Sequence, residues 1–143
     1  MREIKFRGRR VDNEEWVYGN LIIDEHGRPY IGQYITPKQN DPYISAHRSG
    51  KTMRRFAGIG FFMVDPETVG QFTGLCDEDE NETYDGDICL DNEDDVFFID
   101  WDGGSFRANY PHGDIYLLVD PIDGAKRIGN IHENPGLLKI ANG

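Results

Sequence analysis

The chain has few cysteines, no long apolar run and little positive charge in its second half. Cys76 and Cys89 are the only two cysteines in 143 residues, which excludes a disulfide scaffold and a four-thiolate metal site. The longest apolar run, residues 59–64, is far shorter than the roughly 20 residues of a membrane-spanning helix. Residues 1–7 lack the apolar stretch of a secretory signal. We therefore expect a soluble cytoplasmic protein.

Charge is divided unevenly along the chain, whose net charge is −11. Residues 1–60 carry 11 basic and 7 acidic side chains, whereas residues 61–143 carry 4 and 19. Two interpretations follow for the basic cluster at residues 47–55. It is either solvated surface that attracts the acidic half of the same or a neighbouring copy, or a site for nucleic acid or an acidic partner.

Short apolar runs separated by turn residues are typical of a mainly β protein. We predict the following strands: 4–9, 16–24, 30–35, 60–64, 69–75, 88–90, 96–101, 105–110 and 114–120. Residues 65–68 are predicted to form either a turn or a first helical turn, with Asp65 as its cap and Pro66 at its first position. Residues 36–58 hold several turn residues and few apolar ones, which indicates a long irregular loop or an excursion with a short helix.

The spacing of these strands predicts the fold class and the domain organisation. We expect a mainly β fold, with a β-rich α+β fold as the alternative. An N-terminal β-segment, residues 1–58, carries the basic central loop. It packs against an acidic C-terminal unit, residues 59–143, that forms a small SH3-like β-barrel. The two parts are expected to make one compact unit.

Motifs for nucleotide and metal binding are incomplete. Ser49-Gly50-Lys51-Thr52 resembles the end of a phosphate-binding loop, but the glycine required five residues before Gly50 is Ser45. Asp77, Asp79 and Asn81 match the first ligands of a calcium loop, yet its sixth and twelfth positions are Glu82 and Ile88. A solvated acidic loop is the favoured interpretation of residues 77–82, and a weak divalent-cation site is the alternative.

No catalytic arrangement is recognisable in the sequence. The four histidines have no metal-ligand spacing, and there is no Gly-x-Ser-x-Gly elbow. Aromatic residues at strand spacing favour a hydrophobic core over base stacking; these are Phe97, Trp101, Phe106, Tyr110 and Tyr116. We therefore predict neither a cofactor nor a metal, and a protein that is not an enzyme.

Three blocks of sequence resemble the YopX family of small phage and prophage proteins. The blocks are residues 4–8 with 16–19, residues 69–75 running to 84–88, and residues 128–135 with 137–138. The chain departs from the family between Leu75 and Tyr84, where a glycine-containing turn is usual. The resemblance implies a β-rich fold that associates into oligomers, and it supplies no catalytic residues. Glycines 70, 74 and 86 suit turns, bulges or close backbone approaches.

These observations favour a non-enzymatic phage or prophage accessory protein that binds a protein partner or itself, away from membranes. Two alternatives remain open. The first is nucleic-acid binding through Arg48, Lys51, Arg54 and Arg55. The second is an acidic decoy that occupies the DNA-binding groove of a host protein.

Overall fold

The computed structural model describes residues 3–35 and 58–140, which form two antiparallel sheets. Sheet 1 has six strands in the order β4-β3-β2-β1-β5-β6. Their bounds are β1 Phe6–Arg9, β2 Trp16–Ile23, β3 Pro29–Ile35, β4 Gly58–Met63, β5 Gly70–Cys76 and β6 Glu82–Tyr84.

Sheet 2 has five strands in the order β10-β9-β8-β7-β11. A short helix, α1, ends the described chain at Leu137–Ile140. The prediction of a mainly β fold is confirmed. The strand bounds are β7 Asp87–Leu90, β8 Val96–Asp102, β9 Ser105–Asn109, β10 Ile115–Leu117 and β11 Lys126–Asn130.

Sheet 1 curls around a small core of its own. Val17, Ile31 and Val64 are buried at its centre. Val64 also pairs with Arg10, just beyond β1, so the end of β4 returns to the end of β1. Gly8 permits this approach, because a Cβ atom at position 8 would lie 2.7 Å from a methyl group of Val64. The curl therefore depends on a glycine opposite a β-branched residue.

Sheet 2 holds the larger core, on one face only. Phe97, Ile99 and Ala108 of β8 and β9 are buried there. The segment that follows β10 covers this face with Leu118 and Ile122. The predicted SH3-like barrel needs correction, since no strand pairing in the described residues closes sheet 2. A covering loop completes the core, where a barrel would use further strands.

The predicted boundary between residues 58 and 59 falls at the start of β4. Strands from both sides of this position pair in sheet 1: β3 pairs with β4, and β1 pairs with β5. Of the predicted central loop, residues 36–57 lie outside the described part of the chain. In the described ranges, the structure contains no helix with the length and apolar character needed to cross a membrane.

Two short strands were not predicted from the sequence. Residues 82–84 were interpreted as part of an acidic link and turn, but they form β6 and pair with β5. Residues 126–130 were assigned to the tail, but they form β11 beside β7. Both strands are short and rich in polar residues, so they lack the apolar alternation that predicts a strand.

Three chain reversals use the same five-residue turn, which begins with an aspartate. In each turn, Oδ1 of the aspartate accepts hydrogen bonds from the backbone amides two and four residues later, at 2.8–2.9 Å. The aspartates are Asp24, Asp77 and Asp91. Each carboxylate thus accepts hydrogen bonds from backbone amides that the chain reversal leaves without a backbone acceptor.

The fourth residue of each turn has a left-handed backbone. Gly27 has φ +80°, Glu80 has φ 65° and Asp94 has φ 64°. Glycine takes this conformation without steric cost, whereas glutamate does not. The link between Leu75 and Tyr84 therefore forms the same turn as the other two chain reversals, although it has a glutamate at the fourth position, where glycine fits best.

We predict that Glu80→Asn raises the free energy of unfolding by about 0.5 kcal/mol, because asparagine tolerates the left-handed region better than glutamate. Glu80→Gln is the matched control, since it removes the same charge without gaining that tolerance. Urea denaturation of the three proteins measures the difference. An equal effect of both substitutions would attribute the gain to charge rather than to backbone conformation.

Candidate functional site

A cleft between the two sheets collects residues from all three sequence blocks. The cleft measures about 340 Å³ and is open to solvent. β1 and β2 contribute Arg7, Trp16 and Tyr18, and β7 contributes Asp87. β11 and the turn after it supply the remaining wall, residues 127–130, 133 and 134. We call this region the inter-sheet cleft.

A buried ion pair lies at the base of the inter-sheet cleft. Nη1 of Arg7 is 2.7 Å from Oδ1 of Asp87, and the two side chains are 4% and 1% exposed. Oδ2 of Asp87 accepts a hydrogen bond from the backbone amide of Tyr84 at 2.7 Å. Burial raises the pKa of Asp87 although Arg7 and this amide favour the charged form. Each charge therefore depends on the other to remain in the interior.

Aromatic rings surround the guanidinium of Arg7. Its Cζ lies 4.8 Å from the ring centroid of Trp16 and 5.1 Å from that of Tyr84. Such cation–π contacts are strongest where water is excluded. Nη2 of Arg7 also donates to the carbonyl of Asp85 at 3.4 Å, while Nε has no hydrogen-bond partner in the described residues. Arg7 is consequently held in place by both sheets.

The turn at Gly86, between β6 of sheet 1 and β7 of sheet 2, is bonded to the sheet 2 side through its backbone. Its amide donates to the carbonyl of Ile99, and its carbonyl accepts from the amide of Ile131, both at 2.8 Å. Gly86 has φ +98°, and a Cβ there would lie 3.4 Å from Nε2 of His132. Burial, followed by Arg7 and Arg9, lowers the pKa of His132, so this side chain is neutral near pH 7.

Most polar groups of the inter-sheet cleft already have structural partners. Trp16 Nε1 donates to Glu133, and Nη1 of Arg127 donates to the carbonyl of Glu82. Oδ1 of Asn130 accepts from the amides of His132 and Glu133. Because these groups are engaged within the protein, the cleft serves as the joint between the sheets, and few groups remain to bind a ligand.

Strand β10 presents a different kind of surface, at the free edge of sheet 2. Ile115, Tyr116 and Leu117, together with Val119 beyond the strand, are 51–61% exposed. β9 lies on one side of β10, and no strand lies on the other side among the described residues. An exposed apolar edge strand is a template for pairing with another chain. We call residues 115–119 the β10 edge.

The sequence-based assignment of aromatic residues was right for part of the set. Phe97 and Tyr110 are buried in the core of sheet 2, and Phe106 packs against it. Trp101 and Tyr116 are 47% and 51% exposed, so their assignment to the core was wrong. The physical reason is their position: Trp101 is near the end of β8 and Tyr116 is on an edge strand, where neighbours cover one side only.

The other candidate residues are not gathered into a site. Arg48, Lys51, Arg54 and Arg55 lie outside the described residues. In residues 77–82, the carboxylate of Asp77 accepts hydrogen bonds from Asp79, Asn81 and the amide of Arg127. Burial alone would raise its pKa, but these hydrogen bonds lower it. Within residues 3–35 and 58–140, no three His, Cys, Asp or Glu side chains are grouped to hold a metal ion.

These features define a β-rich protein whose two sheets are joined by a buried ion pair and whose second sheet has an apolar edge. The chain belongs to the YopX family, whose family model, described as YopX protein, matches residues 5–139. The crystal structure of protein EF1440 from Enterococcus faecalis is similar in fold. It covers 96% of this chain and 99% of its own, at 20% identity and a TM-score of 0.53. No curated protein matches the chain significantly.

We predict that Arg7→Met lowers the free energy of unfolding by about 3–5 kcal/mol, because it leaves the buried Asp87 carboxylate without a counter-charge. The double variant Arg7→Met/Asp87→Asn should recover much of this loss, since asparagine is uncharged and still accepts from Tyr84. Denaturant unfolding measures both.

Arg10→Met is the matched control for Arg7→Met, because Arg10 also contacts an aromatic ring but pairs with the exposed Asp12. Its effect should be much smaller. Equal losses for the two single variants, or no recovery in the double variant, would contradict the importance of the buried pair.

The half-buried position of Asp85 can be tested through the pH dependence of the free energy of unfolding. Burial, followed by the nearby charge of Asp100, raises the pKa of Asp85 to about 6 from its ordinary value of 3.8. A raised folded-state pKa makes stability fall as pH rises from about 4 to 6. Asp85→Asn should therefore add about 1 kcal/mol above pH 6, after allowance for solvent screening, and little below pH 4.

Asp123→Asn, at an exposed position, removes the same charge and is the control for Asp85→Asn. Urea titrations at pH 4, 5, 6 and 7 give the profile. A gain for Asp85→Asn that is independent of pH would refute the raised pKa.

Proposed function

We propose that this protein is a non-enzymatic accessory protein of a phage or prophage, and that it acts in the bacterial cytoplasm by binding a protein partner or a second copy of itself. The exposed β10 edge is the observation that carries this proposal. Family membership and the phage associations of the family support the setting.

The chemistry of the β10 edge supports recognition of an extended strand. A strand added to a sheet edge gains affinity from main-chain hydrogen bonds, and selectivity from its alternating side chains. Ile115 and Leu117 supply the apolar contacts for such an addition. Residues 115–119 carry no charge, although the surrounding half of the chain is strongly acidic.

The acidic surface around the edge favours protein partners over nucleic acid. Residues 61–143 carry 19 acidic and 4 basic side chains. A field of this sign repels phosphate backbones and raises the association rate of basic partners. Direct nucleic-acid binding through Arg48, Lys51, Arg54 and Arg55, and the role of an acidic decoy, remain alternatives that the following test separates.

We predict that Leu117→Lys abolishes partner binding, because a lysine on an edge strand opposes strand addition. Val11→Lys is the matched control, since it places the same charge at an exposed apolar residue far from the edge in sequence. Tagged wild-type and variant chains are used to retain proteins from a bacterial lysate that contains untagged copies of the chain, once with and once without nuclease treatment.

Retention of a protein by the wild-type chain and by Val11→Lys, with at least a tenfold loss for Leu117→Lys, is the expected result. Retention that is equal for all three baits would overturn the role of the edge. Retention that disappears with nuclease and with alanine at the four basic residues would instead establish nucleic-acid binding. Displacement of DNA from a retained host protein would establish the decoy.

A further inference from the structure

We propose that the β10 edge pairs with the β10 edge of a second copy of this chain, antiparallel, about a two-fold axis at Tyr116. This inference rests on the proposed function, because it names the partner of the same surface. The two copies of sheet 2 would then form one continuous sheet of ten strands.

The backbone of β10 offers a set of groups suited to this pairing. Tyr116 pairs with Ala108 of β9. The amide of Tyr110 donates to the carbonyl of Asp114, and the amide of Leu118 donates to the carbonyl of Phe106. In an antiparallel ladder the direction of these groups alternates. The backbone N–H and C=O groups of residues 114, 116 and 118 therefore point toward β9, and those of residues 115 and 117 point outward.

An axis at Tyr116 places outward-facing residues opposite each other. Ile115 of one copy then lies opposite Leu117 of the other, and the reverse pair forms by symmetry. Each pair exchanges two backbone hydrogen bonds, so every outward N–H and C=O of the strand gains a partner. The contact is isologous, as a closed dimer requires.

The side chains favour the same register. Ile115 and Leu117 form apolar cross-strand pairs, and the two Tyr116 side chains meet at the closely spaced, non-hydrogen-bonded position. An axis at Leu117 would set Asp114 opposite Asp120, which like-charge repulsion disfavours. An axis at Ile115 would set Leu117 opposite Gly113, which has φ +108° and belongs to a turn. Only the axis at Tyr116 pairs the three residues of the strand with one another.

The edge is short, and the two copies of sheet 2 that it joins both belong to the acidic half of the chain, so the dimer should be weak. Stable interfaces bury about 800 Å² on each partner, and the β10 edge, with its four exposed apolar side chains, offers less. We therefore expect a dissociation constant on the order of 10–100 µM. Sedimentation equilibrium from 1 µM to 1 mM should show the mass rising from 16.3 kDa toward twice that value.

Leu117→Lys should keep the mass at that of one chain throughout this range, whereas Val11→Lys should behave like the wild type. Circular dichroism and thermal melting verify that both variants are folded. A wild-type chain that stays monomeric at 1 mM would overturn the proposal, as would a dimer that persists in folded Leu117→Lys.

Disulfide trapping tests the register of the proposed pairing between the two β10 strands. In a Cys76→Ser background, which removes the exposed native thiol, single cysteines are placed at 115, 116 and 117. Non-hydrogen-bonded antiparallel partners have Cα atoms about 4.5 Å apart, within disulfide range, whereas partners offset by two residues are about 7–8 Å apart. Tyr116→Cys should cross-link at least tenfold more than Ile115→Cys or Leu117→Cys.

Preferential cross-linking of Ile115→Cys or Leu117→Cys would overturn the axis at Tyr116. If none of the three cross-links and the chain is monomeric, a second copy is excluded as the partner. A different protein retained in the lysate experiment and lost with Leu117→Lys would then leave the proposed function standing. The failure of this inference is thus distinguishable from the failure of the proposed function.

Discussion

The buried pair of Arg7 and Asp87 connects β1 of sheet 1 to β7 of sheet 2, and the other contacts of the joint assemble around it. A charge in the interior has a high desolvation cost unless an opposite charge and hydrogen bonds accompany it. Trp16 and Tyr84 exclude water from the guanidinium of Arg7, and the backbone amide of Tyr84 donates a hydrogen bond to the carboxylate of Asp87. Because both sheets contribute to this one environment, neither sheet can shift without exposing or isolating a buried charge.

This constraint explains why the inter-sheet cleft offers few free groups to a ligand. The polar groups in the inter-sheet cleft hold the turns at Gly86 and Asn130, and their hydrogen bonds are internal. The β10 edge has the opposite character, since its side chains are exposed and residues 115 and 117 direct their backbone groups outward. An edge strand keeps backbone groups that are unsatisfied in the isolated chain, and the proposed interaction uses such groups.

Local sequence predicted the hairpins well, because turn chemistry acts over a few residues. The predicted strands 16–24 and 105–110 correspond to Trp16–Ile23 and Ser105–Asn109. Of the two predicted forms of residues 65–68, the structure has the helical turn: Asp65 caps the 3₁₀ turn at Pro66 and accepts from the amide of Glu67. Gly70 stands at a close backbone approach, where a Cβ would lie 2.4 Å from the carbonyl oxygen of Asp85. The polar strands β6 and β11 carry no such local signal. β11 in particular depends on distant residues, because it pairs with β7 and its Arg127 amide donates to the carboxylate of Asp77.

The mainly β class, the positions of the hairpins and the uneven charge were determined by the sequence itself, because alternation, turn residues and ionisable groups are local properties. The pairing of Arg7 with a carboxylate 80 residues away, the open form of sheet 2 and the exposure of Tyr116 were decided by tertiary structure alone. Each depends on which strands become neighbours, and that choice is made by packing and desolvation summed over the whole chain. Residues 115–117 are apolar whatever place they take in the sheet. They form an exposed edge rather than a core strand because β10 is the last strand of sheet 2.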